Sequence, residues 1–293
     1  MKGYAAAAGL SVPAHRRVRT ITDLLDFAAG YPAIVVKPLD GAGSRDVSVL
    51  RGTDQVGQWA RRAALNPDED PRLLVEEWVD GEMLLVDGLM AGGRACAAMV
   101  SRYTRTCLSA LRHARPLGVL QLDPDCPEAE EALRYVDRLL AALPCPAELT
   151  SFHAELFEGP RGLVLCEIAC RTGGGNLDRV AASVLGVSLE YASCLGQAGV
   201  PPPISRRDPG GGRVLGFLLL PASGRVLCET PGPCSIPGVL DLTLHASVGQ
   251  QTVRATKVSE YSVDALFEAT DHSRLRALYD QVVRWLDNEL VWC

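Results

Sequence analysis

The clearest hydrophobic pattern in the chain lies at residues 151–176. Phe152, Ala154 and Leu156 alternate with His153, Glu155 and Phe157, the period of a half-buried strand. Residues 163–169 are apolar except for Glu167 and read as a second strand. Between them Gly159-Pro160-Arg161-Gly162 carries turn chemistry. A hairpin closed symmetrically about Arg161 sets Glu155 opposite Glu167, with Cβ atoms roughly 5 Å apart. Two ionised carboxylates at that spacing repel, and a hard divalent cation such as Mg2+ turns the repulsion into a binding site. A surface hairpin with two solvated glutamates shows the same pattern. Arg171 follows Glu167 by four residues, in reach of a phosphate or carboxylate. Gly173-Gly174-Gly175-Asn176 then leads into a helix over 177–185, whose N-terminus is an anion site by geometry.

The same periodicities place the other elements. An alanine-rich helix covers 2–10, and a second, capped by Thr22, covers 23–29. Residues 33–37, Ala-Ile-Val-Val-Lys, read as a strand buried on both faces, followed by a loop and a second strand at 47–50. In the loop, Gly41 and Gly43 let backbone N–H groups approach a phosphate, Ser44 adds a donor, and Lys37 reaches from the strand end. A plain hairpin turn would use the same glycines. A helix over 54–64, an acidic turn at 66–71 and a strand from 73 come next. That strand runs into Glu76-Glu77-Trp78-Val79-Asp80-Gly81-Glu82, which resembles a segment gripping a nucleotide, although a strand leaving into a polar turn reads alike. Paired strands at 83–89 and 94–103 follow, then an irregular stretch at 104–121. That stretch is rich in arginine, suited to an anionic substrate or to solvent. An amphipathic helix covers 127–143. After helices at 177–185 and 188–198, Pro201-Pro202-Pro203 marks a break. Strand patterns at 214–220, 225–228, 240–245 and 252–258 precede a final helix over 273–290.

Composition narrows the setting. The chain has 293 residues, 47% hydrophobic and 22% charged, an ordinary globular balance. A net charge of −6 argues against nucleic acid as a partner, and no apolar run reaches the ~20 residues of a membrane span. Ten cysteines include no Cys-x-x-Cys pair, so zinc is not expected, and reduced thiols in the cytoplasm are the expectation. Lysine occurs only at positions 2, 37 and 257 in an arginine-rich chain, which singles out Lys2 and Lys37 as candidates.

Taken in order, the strand and loop around Lys37, the hinge from Val75 to Glu82, Phe152-His153-Ala154-Glu155 and Glu167-Ile168-Ala169-Cys170-Arg171 resemble the ATP-grasp superfamily. Within it they look most like the carboxylate–amine ligases related to L-amino-acid ligases. The resemblance implies an α+β fold of two lobes sandwiching ATP. It divides the chain into a helical segment (1–29), a lid subdomain (30–78), a catalytic subdomain (79–200) and a β-rich C-terminal subdomain closing with a helix (201–293). It further implies an ATP-dependent ligase that activates a small acid as an acyl phosphate and joins it to an amine. Lys2 and Lys37 would bind phosphates, with Gly41, Gly43 and Ser44 closing over them. Glu76, Glu77, Trp78 and Val79 would line the adenine pocket, and Glu82 would hold the ribose. Glu155 and Glu167 would hold magnesium, or manganese in its place, and Arg171 would act with Lys37 in catalysis.

Two departures from the family pattern stand out. Ala169 occupies a position where many members carry a metal-binding asparagine, so the third metal ligand is either missing or supplied by Asn176. The family usually carries a further α/β domain before the lysine matched by Lys2. Truncation, a partner protein supplying that lobe, and activity without it are the three readings, with self-association left open. A non-catalytic nucleotide-binding or partner-binding protein with the same fold is the alternative function, and a kinase acting on a non-carboxylate acceptor is a third.

Overall fold

The computed structural model describes residues 1–63, 72–160, 162–202 and 212–293. The acidic turn at 66–71, Arg161 and the third proline of the 201–203 break lie outside them. The described chain forms two compact units, Val12–Asp80 and Met1–Ser11 with Gly81–Cys293. The sequence reading drew its boundaries elsewhere because it saw only helices before residue 30.

The chain opens with helix α1 (Lys2–Ala7), which buries Lys2 and Ala5 and stops before Gly9, whose φ is 70°. The smaller unit begins with strand β1 (His15–Val18), which the sequence reading did not foresee. Only Val18 of its four residues is buried, so the strand carries almost no hydrophobic signal. Helix α2 (Ile21–Ala28) follows, then β2 (Ala33–Pro38), β3 (Ser48–Arg51), α3 (Gly52–Ala63) and β4 (Leu73–Glu77). The cap of α2 is Thr20 rather than Thr22. Its hydroxyl accepts from the Asp23 N–H, and the Asp23 carboxylate accepts from the Thr20 N–H, a complete capping box. The four strands pair antiparallel in the order β1-β4-β2-β3. Val18, Ile34, Val36 and Val75 pack there against Leu24 and Phe27 of α2 and Val56 and Ala60 of α3.

The larger unit is built on one eight-stranded sheet. In chain order it contains β5 (Glu82–Ala91), β6 (Arg94–Tyr103), α4 (Cys107–His113), β7 (Leu117–Gln121), α5 (Pro127–Ala142), β8 (Thr150–Gly159) and β9 (Gly162–Ala169). Then come α6 (Leu177–Leu185), α7 (Leu189–Gln197), β10 (Val214–Pro221), β11 (Val239–Leu244), β12 (Tyr261–Ala269) and α8 (His272–Glu289). The strand order is β11-β12-β10-β7-β6-β5-β8-β9. The expected β-rich C-terminal strands therefore continue the same sheet, because β10 pairs with β7.

One face of this sheet carries Leu85, Leu89, Met99, Phe217, Leu219 and Leu266 under α6 and α7. The opposite face at the β10–β12 end carries Leu218, Val263 and Phe267 under α8. Several features differ from expectation, and residues 225–228, read as a strand, make only isolated bridges. Residues 104–121, read as irregular, hold α4, capped by Thr106, and the wholly buried β7. Residues 252–258 form no strand, and the strand is instead β12, where Asp264 interrupts the apolar alternation. The reduced thiols expected throughout meet an exception at Cys228 and Cys293, which form a disulfide. An antiparallel bridge between Leu227 and Trp292 brings those two segments together.

Candidate active site

The β8–β9 hairpin places Glu155 directly opposite Glu167, as the alternation predicts, but by a different route. The hairpin closes with Gly159 opposite Gly162, Glu158 opposite Leu163 and Leu156 opposite Leu165. That register alone would set Glu155 against Cys166. A bulge at Cys166 absorbs one residue, and the carboxylates meet only beyond it. Cross-strand partners share a face, so Glu155, opposite Leu85, lies on the face that α6 and α7 cover.

Glu155 is held from two sides. The Tyr103 hydroxyl donates to its Oε1 at 3.1 Å, and His153 Nε2 lies 3.4 Å from the same oxygen. His153 Nδ1 in turn lies 2.8 Å from Asp87 Oδ1. Asp87 is fully buried, and its Oδ2 has no hydrogen-bond partner among the described residues. Burial alone would depress the imidazole, but Asp87 and Glu155 outweigh it and push His153 up to about 10. Burial also raises the Tyr103 phenol well above its ordinary range, which keeps its hydroxyl a donor. The glycine loop packs directly on this group. A Cβ on Gly173 would meet Asp87 Oδ1 at 2.7 Å and His153 Nδ1 at 2.8 Å, so this position requires glycine.

The donor set fits magnesium. Mg2+ binds through one or two carboxylates and keeps its remaining sites for water and phosphate oxygens. Two opposed glutamates meet that need, and among the described residues no cluster of three or more His, Cys, Asp or Glu is arranged for a metal. The side chain of Asn176, the candidate third ligand, has two hydrogen-bond partners. Its Nδ2 donates to Asp264 Oδ2 at 2.9 Å and its Oδ1 accepts from Arg179 at 3.4 Å, so its amide serves β12 and α6. Arg171 is exposed, with Nη1 on the Thr172 carbonyl at 2.7 Å.

In the smaller unit, Lys37 and Glu76 form an ion pair at 3.0 Å, with Lys37 only 18% exposed and Glu76 5%. The loop after Lys37 has left-handed backbone at Gly43, Ser44 and Asp46, while Gly41 lies against Pro38. Glu77 donates its N–H to Ala14 O at 2.9 Å, and Trp78 donates to Ala33 O at 3.0 Å. Both amides are thereby engaged within the unit, and the Glu77 carboxylate accepts from Ala14 N at 3.1 Å. Of the expected adenine-contacting backbone, Val79 is left outside these bonds. Arg51 lies over the Trp78 ring at 5.3 Å.

Lys2 and Glu82 belong to the larger unit. Lys2 is buried on α1. Glu82 sits opposite Glu158, and Arg102 bridges the two. By strand alternation that trio lies on the face opposite Glu155. Burial opposes the charge on Arg102, but Glu158 and Glu82 more than restore it.

Asp87, Tyr103, His245 and Asp264 were missed by sequence reasoning. The available signal was an acid inside a buried apolar strand, which Asp87 and Asp264 both show.

No protein-family profile matches the chain. It is 25% identical over 169 residues to the L-arginine-specific L-amino acid ligase of Bacillus subtilis, a match covering 56% of this chain and 40% of that protein. Among solved structures, the L-amino acid ligase from Bacillus licheniformis superposes with a TM-score of 0.71 at 16% identity, over 99% of this chain and 70% of that one. Phosphoribosylglycinamide synthetase from Anaerococcus prevotii gives 0.65 at 10% identity, over 100% and 72%. Carboxyaminoimidazole ribonucleotide synthase from Aspergillus clavatus, complexed with ATP, gives 0.66 at 15% identity, over 98% and 72%. The fold is the ATP-grasp fold. Within it the chain resembles L-amino-acid ligases, and it spans less than half the length of the curated relative it matches.

Proposed function

We propose that this chain is an ATP-dependent carboxylate–amine ligase. It activates a carboxylate, of an amino acid or related small acid, as an acyl phosphate, joins it to an amine, and releases ADP and phosphate. The observation that carries this reading is the opposition of Glu155 and Glu167 in the β8–β9 register, beside a glycine loop packed onto the group that orients Glu155. The similarity to L-amino acid ligases supports it.

A carboxylate is a poor electrophile, and phosphorylation of its oxygen supplies a leaving group. Magnesium, when bound, neutralises charge on the β- and γ-phosphates. Glu155 and Glu167 would hold it, with Tyr103 and His153 fixing the Glu155 carboxylate before nucleotide arrives. Lys37, paired with Glu76, would bind phosphate oxygens. Arg171 would meet the substrate carboxylate and then the acyl phosphate, where negative charge develops. The glycine loop after Arg171 would border the transferred phosphoryl group. The setting we expect is the cytoplasm, where ATP is the available phosphoryl donor.

The test is ADP and phosphate release with Mg2+ across pairs of amino acids. Release that depends on a particular pair, and that falls about 100-fold or more in Glu167→Gln, is the expected result. Tight ATP binding without turnover for any pair would favour the non-catalytic alternative.

A further inference from the structure

The loop Gly173-Gly174-Gly175-Asn176 has one side chain able to hydrogen-bond, that of Asn176. Its three consecutive glycines carry wide backbone freedom, and ordering such a segment costs conformational entropy. What holds it lies at its two ends. At the entry, the Thr172 hydroxyl donates to Ser151 Oγ on β8 at 3.1 Å. At the exit, Asn176 Nδ2 donates to Asp264 Oδ2 on β12 at 2.9 Å. Between these bonds the loop lies against the sheet. A Cβ on Gly173 would meet Asp87 and His153, and one on Gly175 would meet Phe217 at 2.9 Å and Leu219 at 3.1 Å.

The exit bond is fully built. Asp264 is 6% exposed and Asn176 8%. Asp264 sits between Val263 and Ala265, both completely buried, where a carboxylate destabilises the fold unless its oxygens are satisfied. Oδ2 has Asn176, and Oδ1 lies 2.6 Å from His245 Nε2. The far side of the Asn176 amide is held too. Its Oδ1 accepts from Arg179 at 3.4 Å, and Arg179 donates to Asp241 of β11 at 3.0 Å. Asparagine at a helix start usually caps the helix backbone. Asn176 precedes α6 but makes no side-chain capping bond, so its amide is given to the sheet instead.

We propose that Asp264 is a positioning residue that fixes the exit of the glycine loop through Asn176, and so fixes the loop beside the transferred phosphoryl group. This rests on the ligase reading, which sets the loop there. A loop pinned at entry and exit before substrates bind is not ordered at the expense of the transition state. It also stays in place while the acyl phosphate exists, whereas a wandering loop lets water return that intermediate to free acid and phosphate.

The test uses an amino-acid pair that the wild type joins. In Asp264→Ala, kcat for ligation is expected to fall about 100-fold, while ATP affinity by calorimetric titration stays at the wild-type value. ADP release should exceed product formed. Asn176→Ala cuts the same bond from the other side and should reproduce these effects, with the Mg2+ concentration for half-maximal activity unchanged. The double variant should lose no more than either single one. Asp264→Asn keeps an acceptor oxygen for Asn176 and should recover most of the rate. Wild-type kcat in either alanine variant, ATP affinity falling in step with kcat, or additive losses would each overturn the assignment. A raised Mg2+ requirement in Asn176→Ala would overturn it in favour of a metal ligand. Should Asp264→Ala not fold, Asn176→Ala decides by the same readouts. A wild type that releases no ADP with any pair would overturn the ligase reading itself, and this role with it.

Discussion

At the scale of single residues, the candidate site depends on side chains that hold other side chains. Glu155 is oriented by Tyr103 and His153, and His153 by Asp87. The position most sensitive to a small change is Gly173, which lies against Asp87 and His153. Gly173→Ala inserts one methyl against Leu177, Asp87 and His153, all three of which are buried. We expect a loss of about 1–3 kcal/mol, read from the shift in a urea melt. A stability equal to wild type would mean that the loop moves freely off the pair. Motif order in the sequence already singled out Glu155, Glu167 and Arg171. Asp87 and Tyr103 were not legible there, because nothing in a linear pattern shows which residues of distant strands will face one glutamate.

Elements show how local chemistry sets boundaries. Helix α2 starts at Thr20 because Thr20 and Asp23 cap each other, whereas Thr22, the nearer-looking candidate, falls inside the helix. Thr20→Ala should cost about 1 kcal/mol in a urea melt. The Asp23 carboxylate is held below its ordinary value, chiefly by accepting the Arg19 and Thr20 N–H groups. A depressed acid stabilises the fold above its unfolded pKa, near 3.8, and loses that contribution as pH falls through the lower folded value. The difference between wild type and Asp23→Asn should thus be present at pH 7 and shrink progressively below about pH 4. A difference that is the same at both pH values would show that Asp23 acts without its charge. Helix α4 and strand β7 illustrate the opposite case. Arginines flank them and hide a short helix that buries only Cys107 and Ala110 and a short, wholly buried strand from a periodicity search.

For the whole molecule, the large sheet is the organising feature. The C-terminal strands β10, β11 and β12 extend it, so residues read as a separate subdomain contribute Asp264 and His245 to the face that carries Glu155. The Cys228–Cys293 disulfide ties the chain end back across 65 residues. Cys293→Ser should lower stability by about 2–4 kcal/mol under oxidising conditions and leave it unchanged when wild type is reduced. Equal stability in oxidising buffer would show that the bridge between Leu227 and Trp292 holds the C-terminus without the covalent bond.

The sequence by itself determined which residues form most strands and helices, because burial imposes periods that a short window reveals. It also fixed the order of the candidate chemistry: Lys37, the Glu76–Glu82 hinge, Glu155, Glu167 and Arg171. Tertiary structure decided where those groups meet others. It moved the hairpin closure by one residue and restored the opposition of Glu155 and Glu167 through a bulge at Cys166. It committed Asn176 to Asp264 and placed Glu82 with Arg102 and Glu158. Register, bulges and the pairing of strands far apart in the chain depend on the summed packing of a whole sheet, and no local window contains that information.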